Sequence, residues 1–254
     1  MKKIVKVKKL EIGQGIPKVC VSITGRTEEE LFKQAKEYSK LDIDILEWRV
    51  DYFSKVDNIL EVTNTLRVLS DVLKEKPLIF TFRSKKEGGE KEISKERYME
   101  LNKEVIKSKL IDIVDVELLM GNEEVKELID LAHDNNVKVI VSNHDFNNTP
   151  EENVIVERLE KMIKLGADLP KIAVMPNAPI DVLTLLKGTC IIKKKYHNHP
   201  IITMSMGALG MVSRLSGEVF GSVLTFACVK NVSAPGQIYY KDLKYVLNLI
   251  DKNI

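Results

Sequence analysis

The chain has 254 residues, of which 44% are hydrophobic and 30% are charged. This balance is typical of a globular protein with a large core and argues against a disordered chain. The formal net charge is only +2, so no excess charge points to a nucleic acid or a membrane surface as partner. Three cysteines without a CxxC pair, no apolar run long enough to span a bilayer and no apolar signal core together predict a cytoplasmic protein with reduced thiols.

Short apolar runs rich in β-branched residues alternate with amphipathic stretches along most of the chain. The runs predict eight strands, at residues 19–24, 45–50, 78–82, 111–117, 137–142, 171–175, 201–206 and 223–228. The amphipathic stretches predict eight helices, at residues 27–40, 57–74, 94–107, 123–135, 150–165, 179–194, 209–215 and 241–251. Such alternation is typical of an α/β protein of the (β/α)8 or TIM barrel class. An open doubly wound sheet is the alternative, but it would rarely need eight units and no GxGxxG motif opens a helix here.

The residues before the first predicted strand do not follow this alternation. Val5 and Val7, followed by residues 11–15, predict an N-terminal β-hairpin that closes the bottom of the barrel. No linker rich in Pro, Gly or Ser divides the chain. We therefore expect residues 1–254 to form a single (β/α)8-barrel domain.

Charged residues occur near the ends of strands two to four, where barrels of this kind carry their reactive groups. Alternation places Glu47, Arg49 and Asp51 on one face of strand two. Strand three ends at Arg83 and is followed by a loop with a Gly-Gly pair, and strand four carries Asp115 and Glu117, again on the inner face. Buried charges are unfavourable unless they pair or bind something, so a structural ion network is the alternative to a binding site.

Strands five and six carry the two residues that most suggest catalysis. His144 lies at the end of strand five, where an imidazole can act as a proton carrier. Lys171 lies in an apolar strand, and lysine is seldom buried without a partner or a function. Burial would disfavour the ammonium form and leave a fraction of nucleophilic neutral amine. The alternative is a lysine near the start of its strand that extends its amine to solvent, and the residues alone leave both possibilities open.

Polar residues after strands seven and eight suit an anion. Arg214, Ser233 and Gln237 could bind a carboxylate through charge-assisted hydrogen bonds. Gly207 and Gly210 would also fit a phosphate site, which many barrels hold at this place.

No group of side chains has convincing metal-binding spacing. His197 and His199 are spaced like a pair of ligands, but they precede strand seven and should lie on the opposite face. We expect no metal site.

Six segments, taken in chain order, resemble the type I 3-dehydroquinate dehydratases, which are lyases of the shikimate pathway. They are LEWRVD at 46–51, FTFR at 80–83 with EGG at 87–89, SNHDF at 142–146, KIA at 171–173, SMG at 205–207 with SR at 213–214, and SAPGQ at 233–237. Each segment is weakly specific alone, whereas six in the family's order are strongly specific.

The resemblance implies a mechanism. Lys171 would form an imine with the C3 ketone of 3-dehydroquinate, and the protonated imine would acidify the hydrogen on C2. His144 would remove that proton and return a proton to the departing C1 hydroxyl, a syn elimination that yields 3-dehydroshikimate. Glu87 would orient His144. The family needs no metal or organic cofactor, so none is expected.

The resemblance also implies which residues bind substrate: Ser22, Glu47, Arg49, Arg83, Arg214, Ser233 and Gln237. Residues 231–240 would close over the site as a lid. A homodimer is expected, and the apolar residues of the late helices that could form its interface are Val182, Leu185, Leu186, Phe220 and Val246, although core packing would give the same periodicity. Two rival functions remain: a class I aldolase acting on a sugar phosphate, and a barrel that binds a small acid without chemistry.

Overall fold

Strands and helices alternate along the structure much as the sequence predicts. The computed structural model describes residues 4–230 and 232–254; residues 1–3 and residue 231, the first of the expected lid, lie outside this part. The strands are β1 (Val5–Val7), β2 (Leu10–Ile12), β3 (Lys18–Ile23), β4 (Ile45–Arg49), β5 (Leu78–Thr81), β6 (Ile113–Glu117), β7 (Lys138–Asp145), β8 (Leu169–Val174), β9 (Ile202–Ser205), β10 (Leu224–Cys228) and β11 (Ile238–Tyr239).

Helices connect these strands and cover the outside of the sheet. They are α1 (Glu28–Tyr38), α2 (Ile59–Val72), α3 (Lys95–Ser108), α4 (Asn122–Asp134), α5 (Glu152–Leu165), α6 (Pro179–Lys195), α7 (Met211–Leu215), α8 (Gly217–Phe220) and α9 (Tyr240–Asp251). The sequence predicts one helix after β9, whereas the chain forms two short ones separated at Ser216. None of the helices within the described ranges combines the length and apolar character needed to cross a bilayer.

Parallel pairing runs in chain order from β3 to β9, and β10 pairs in parallel with β3, which confirms the predicted (β/α)8 barrel. The barrel closes between β9 and β10 only at its lower end, where Ile201 and Ser222 form a bridge and Val223 N donates to Ile201 O at 2.9 Å. Higher up, the free edge of β10 pairs with the unpredicted strand β11 instead. The segment expected to act as a lid therefore leaves and rejoins the barrel wall at this seam.

The lower part of the barrel interior is an apolar floor. Each of the eight barrel strands contributes one inward side chain to it: Cys20, Ile45, Ile79, Ile113, Ile140, Leu169, Ile202 and Leu224. Val5, Val7 and Ile12 of the β1–β2 hairpin belong to the same buried cluster, so the hairpin closes the bottom of the barrel as predicted. Because inward positions recur every second residue, the next inward layer includes Glu47, Asp115 and Lys171, directly above the floor.

The apolar residues of α6 have two different roles. Val182, Leu185 and Leu186 are buried within the chain, so the expectation that they could form a dimer interface is wrong. Burial of one face of a helix within its own chain gives the same helical periodicity as an interface would. On the same helix, Ile180 and Leu183 are exposed instead.

Candidate active site

Lys171 is the third residue of β8 and points into the barrel above the apolar floor. Its side chain is only 4% exposed, so the amine does not reach solvent. The alternative in which Lys171 extends its amine to solvent is therefore excluded. The Nζ atom donates to Asp115 Oδ2 at 3.0 Å and lies 4.5 Å from the centre of the Phe226 ring. The amine is therefore held between a carboxylate and an aromatic face, rather than among apolar side chains alone.

Asp115 is a site residue whose role the sequence did not reveal. It is fully buried, and its oxygens accept hydrogen bonds from Lys171, from Arg83 Nη2 at 2.8 Å and from Ser142 Oγ at 2.6 Å. Burial opposes ionisation of Asp115, but Arg83 and Lys171 outweigh it and lower the pKa to about 2. Asp115 is thus a fixed negative charge beside the amine. Inward alternation on β6 places it in the barrel, but only the folded structure reveals its partners.

His144 and Glu87 form a second pair at the rim of the barrel. In the strand register, Ser142 lies opposite Lys171 and His144 lies opposite Ala173, so the imidazole stands one inward step above the amine. Glu87, in a 3-10 turn (Lys85–Glu87), accepts at one oxygen, Oε2, from both the backbone N–H and the Nδ1 of His144, each at 2.9 Å. A hydrogen on Nδ1 leaves Nε2 free to accept a proton.

Electrostatics keep this imidazole neutral. Burial lowers the pKa of His144 well below its ordinary value, and the positive charges of Arg83, Lys171 and Arg49 lower it further. Burial and the charge of Glu117 raise the pKa of Glu87 to about 8, whereas Arg83 and two hydrogen-bond donors favour the carboxylate. A neutral imidazole is the form that can act as a general base.

The turn that carries Glu87 depends on a glycine. Gly88 has φ +82°, and a Cβ atom there would lie 2.3 Å from the ring of Phe146. The ring of Phe146 also stacks beside His144, with 6.5 Å between the ring centres. Gly88 therefore leaves room for the Phe146 ring beside the turn that carries Glu87.

Arg83 has a dense set of anionic partners. Its guanidinium contacts Asp115 and Glu117 at 2.8 Å each and Glu87 at 3.5 Å, and only 3% of the residue is exposed. Burial acts to lower the pKa of Arg83, but the three carboxylates raise it well above its ordinary value. Much of the hydrogen-bonding capacity of this guanidinium is therefore used within the protein.

Glu47 and Arg49, both on β4, are held by neighbouring side chains. The Glu47 carboxylate accepts from Ser22 Oγ at 2.5 Å and from Thr81 Oγ1 at 2.9 Å. The guanidinium of Arg49 makes two hydrogen bonds of 2.8 Å to Asp51. Both side chains are fixed before any ligand binds, as a preformed site requires.

The loop between β10 and β11 is tied down over the barrel mouth. Ser233 Oγ donates to Ser22 Oγ at 3.1 Å, and the Gln237 amide exchanges hydrogen bonds with the Ser233 backbone and hydroxyl. Gly236 has φ +77°, and a Cβ there would lie 2.3 Å from Gly207 O. Gly236 thus allows close packing of this loop against the backbone of Gly207, which itself has φ +66°.

Arg214, at the end of α7, has no comparable set of partners. Its Nη2 donates to Pro235 O at 2.9 Å, its Nη1 lies 3.5 Å from Met204 Sδ, and its Nε has no hydrogen-bond partner. Within residues 4–230 and 232–254, no carboxylate forms an ion pair with it, although only 1% of the residue is exposed. Burial lowers the pKa of Arg214 to about 10. A buried cation without a counter-charge is suited to bind an anion.

One cavity connects these groups. Its polar lining consists of Glu47, Arg49, Arg83, Glu87, His144, Lys171, Arg214, Ser233 and Gln237, and its apolar lining consists of Phe146, Ala173, Met204, Met206, Phe226 and Ala234. All the predicted site residues except Ser22 therefore line a single space, and Ser22 supports Glu47 from behind. This mixed lining suits a small polar ligand. Elsewhere, His199 Nε2 hydrogen-bonds Ala167 O at 3.0 Å, at the opposite end of the barrel.

Known proteins resemble this chain over its full length. The family model described as Type I 3-dehydroquinase matches residues 19–254. A 3-dehydroquinate dehydratase from Clostridium botulinum (strain Eklund 17B / Type B) is 55% identical over 254 residues, which cover 100% of both chains. The structure of a type I 3-dehydroquinate dehydratase from Clostridium difficile, solved with covalently modified comenic acid, has a TM-score of 0.97 at 54% identity and covers 100% of both chains. That of a 3-dehydroquinate dehydratase from Geobacillus kaustophilus HTA426 has a TM-score of 0.95 at 35% identity and covers 99% of both. The chain therefore belongs to the type I 3-dehydroquinase family, a family of hydro-lyases.

Proposed function

We propose that this chain eliminates water from 3-dehydroquinate through an imine formed between Lys171 Nζ and the C3 ketone of the substrate. The observation that carries the proposal is the shared cavity of three groups: a buried amine, a neutral imidazole and a buried arginine without a counter-charge. An amine and a base suit imine chemistry, and the arginine suits a carboxylate. Neither a sugar-phosphate aldolase nor a passive binder explains all three groups together with the family.

The reaction begins at Lys171. The Lys171 ammonium releases a proton to water, and the amine attacks the ketone carbon to give a carbinolamine. A proton returned from water lets the carbinolamine hydroxyl leave as water, and a protonated imine remains. Asp115 lies 3.0 Å from the amine nitrogen and stays ionised, so it stabilises positive charge on that nitrogen throughout. The cationic imine withdraws electrons from the bond between C2 and its hydrogen, which acidifies that hydrogen.

His144 then acts as base and acid in turn. Nε2 removes the C2 proton and gives an enamine, and the resulting imidazolium protonates the C1 hydroxyl as it leaves as water. The Glu87 carboxylate, 2.9 Å from Nδ1, orients the ring and supports its transient charge. Hydrolysis of the conjugated imine releases 3-dehydroshikimate and regenerates the amine, so one water molecule is lost overall.

Substrate recognition divides between two sides of the cavity. Arg214, Ser233 and Gln237 bind the carboxylate, and the Nε hydrogen of Arg214 is free for this purpose. The ring hydroxyls contact Glu47, Arg49 and Arg83, while Ser22 fixes Glu47. Residues 231–240 act as the lid, and contacts from Arg214 to Pro235 and from Ser233 to Ser22 support a closed position.

Reductive trapping tests the proposal directly. Wild-type protein is treated with sodium borohydride in the presence and absence of 3-dehydroquinate, and peptide mass spectrometry locates any adduct. We expect a stable adduct on Lys171 only when substrate is present. The covalent modification in the Clostridium difficile relative supports the choice of a small acid as probe. An adduct on another lysine, or turnover without any adduct, would refute the imine at Lys171, and binding without turnover would favour the passive binder.

We further infer the setting of the reaction. The whole chain acts as one catalytic domain in the shikimate pathway and in the cytoplasm, where its three free cysteines stay reduced. It forms a homodimer, supported by apolar side chains exposed on the late helices: Ile180, Leu183, Val212, Val219 and Leu249. Light scattering after gel filtration tests the dimer, and Leu183→Glu should yield a monomer if this surface is the interface. A wild-type monomer at micromolar concentration would refute it.

A further inference from the structure

Asn143 and Arg158 lie outside the cavity but are linked to its acid–base pair. Arg158, on α5, donates from Nη1 to Asn143 Oδ1 at 2.8 Å. Asn143 Nδ2 donates to Glu87 Oε1 at 3.3 Å, and the other oxygen of Glu87 binds His144. A continuous chain of hydrogen bonds therefore runs from a surface helix through the barrel wall to the imidazole.

Arg158 fixes which groups donate and which accept along this series of hydrogen bonds. A guanidinium can only donate, so the amide oxygen of Asn143 must face Arg158 and its NH₂ group must face Glu87. Without Arg158, the amide could rotate and present its oxygen to the carboxylate. In the observed arrangement the Asn143 amide and the His144 N–H each donate to Glu87, to different oxygens, and both contacts favour its carboxylate form.

We propose that Arg158 is a positioning residue that acts through Asn143 to keep Glu87 ionised and aligned with His144. This inference rests on the proposed function, in which ionised Glu87 supports His144 as the base. Arg158 touches neither the cavity lining nor the reacting atoms, and its effect is indirect.

The charged groups around Glu87 explain why the Asn143 donor affects the ionisation of this carboxyl group. Glu117 on β6 opposes the carboxylate, and Arg83 after β5 favours it. Lys171 on β8 and Arg49 on β4 also act on His144, and Asp115 on β6 pairs with Lys171 and Arg83. With burial and Glu117 already raising the pKa of Glu87, the loss of a donor moves the equilibrium further towards the protonated acid.

The variant Arg158→Met tests the inference through the pH dependence of kcat/KM for 3-dehydroquinate. Because the protonated Glu87 persists to higher pH, the acidic limb should move upwards by roughly 0.5 to 1 pH unit, the scale of one hydrogen bond. We expect kcat near neutral pH to fall while KM changes little, because the substrate contacts remain. Arg158→Lys, which restores a donor, should recover part of the shift.

Two further variants separate positioning from a general effect. Lys161→Met removes one exposed cation from the same helix and should leave the pH profile unchanged. Arg158 acts only through Asn143, so Arg158→Met should add nothing to Asn143→Ala in the double variant. Additive effects, or a lowered melting temperature with an unmoved acidic limb in Arg158→Met, would overturn the inference.

Trapping distinguishes this result from a failure of the proposed function. Arg158→Met should still form the borohydride adduct on Lys171, since imine formation does not need the chain through Asn143. If the wild type forms no adduct, the proposed function fails. If the wild type forms the adduct and the pH profile of Arg158→Met matches that of the wild type, only the role of Arg158 fails.

Discussion

Two buried arginines on different sides of the barrel differ in their partners. Arg83 contacts three carboxylates, and its pKa lies well above the ordinary value. Arg214 contacts a carbonyl oxygen and a thioether, and its pKa is lowered to about 10. The two residues are almost equally buried, so burial alone does not distinguish them. The difference lies in whether the protein itself supplies the counter-charge.

The two sides of the cavity differ in the same way as these two arginines. The side formed by β5 to β8 is an ionic network in which Arg83 and Lys171 share Asp115. On the side formed by β9, β10 and the loop that follows β10, the lining combines the charged Arg214 with neutral side chains: Met204, Phe226, Ser233 and Gln237. A paired network holds catalytic groups in place, whereas an unpaired cation gains its counter-charge only from a ligand. Under the proposed function, the chemistry belongs to the first side and anion binding to the second.

The largest expected effect comes from removing Lys171, the proposed nucleophile on the side of the cavity formed by β5 to β8. Lys171→Ala should abolish turnover and the borohydride adduct, because no other amine reaches the ketone. The fold should survive, since Asp115 keeps its bonds to Arg83 and Ser142. The absorbance of the conjugated enone product measures turnover, and circular dichroism checks the fold. The exposed Lys187→Ala serves as control, and near-native turnover in Lys171→Ala would contradict the assigned role.

Removing the base on the same side should give the next largest effect. His144→Ala should lower kcat by about 10²-fold or more, the scale of general acid–base catalysis. The borohydride adduct on Lys171 should persist, because the amine and Arg214 are unchanged. His133→Ala removes an imidazole that pairs with Asp168 outside the cavity and should keep wild-type kinetics. Loss of the adduct in His144→Ala would show that the two groups do not act in separate steps.

Matched substitutions of the two arginines test the comparison itself. Arg83→Met leaves Asp115, Glu117 and Glu87 clustered without their shared cation and should lower the free energy of unfolding by about 3–5 kcal/mol. Arg214→Met removes an unpaired buried charge and should leave stability unchanged or increased, while kcat/KM falls by roughly 10- to 100-fold through loss of a charge-assisted hydrogen bond to the substrate. Urea unfolding and steady-state kinetics measure both. Equal destabilisation by the two substitutions would contradict the conclusion that the protein supplies a counter-charge to Arg83 but not to Arg214.

Inward alternation is the part of the site that the sequence predicts well. It places Glu47 and Lys171 in the barrel, because a strand covered on both faces still turns every second residue inward. It does not predict which charges meet, since Asp115 and Lys171 come together across two strand pairings. The eight-strand pattern likewise predicts the barrel, but β11 has only two residues and pairs because the upper edge of β10 is free. The functional roles of Arg214 and Glu87 came from the resemblance to a family rather than from local pattern.

The smallest expected effect concerns Glu87, one of the clustered carboxylates on the side of the cavity formed by β5 to β8. Glu87 has a higher pKa in the folded protein than the usual 4.5, so the folded state binds this proton more tightly. This tighter proton binding stabilises the folded state. The contribution is complete below about pH 4.5 and is lost as the pH rises to about 8. Glu87→Gln cannot titrate, so its unfolding free energy should depend less on pH in this window and exceed that of the wild type by about 1–2 kcal/mol at the upper end.

Urea unfolding at a series of pH values measures this difference, and the exposed Glu92→Gln on the same loop is the control. The variant should also lose activity, because a neutral amide supports the imidazolium less well than a carboxylate does. Greater stability together with lower kcat would mean that the catalytic carboxylate is held ionised against the preference of the fold. A variant less stable than the wild type throughout the window would instead place Glu87 with the stabilising partners of Arg83, beside Asp115.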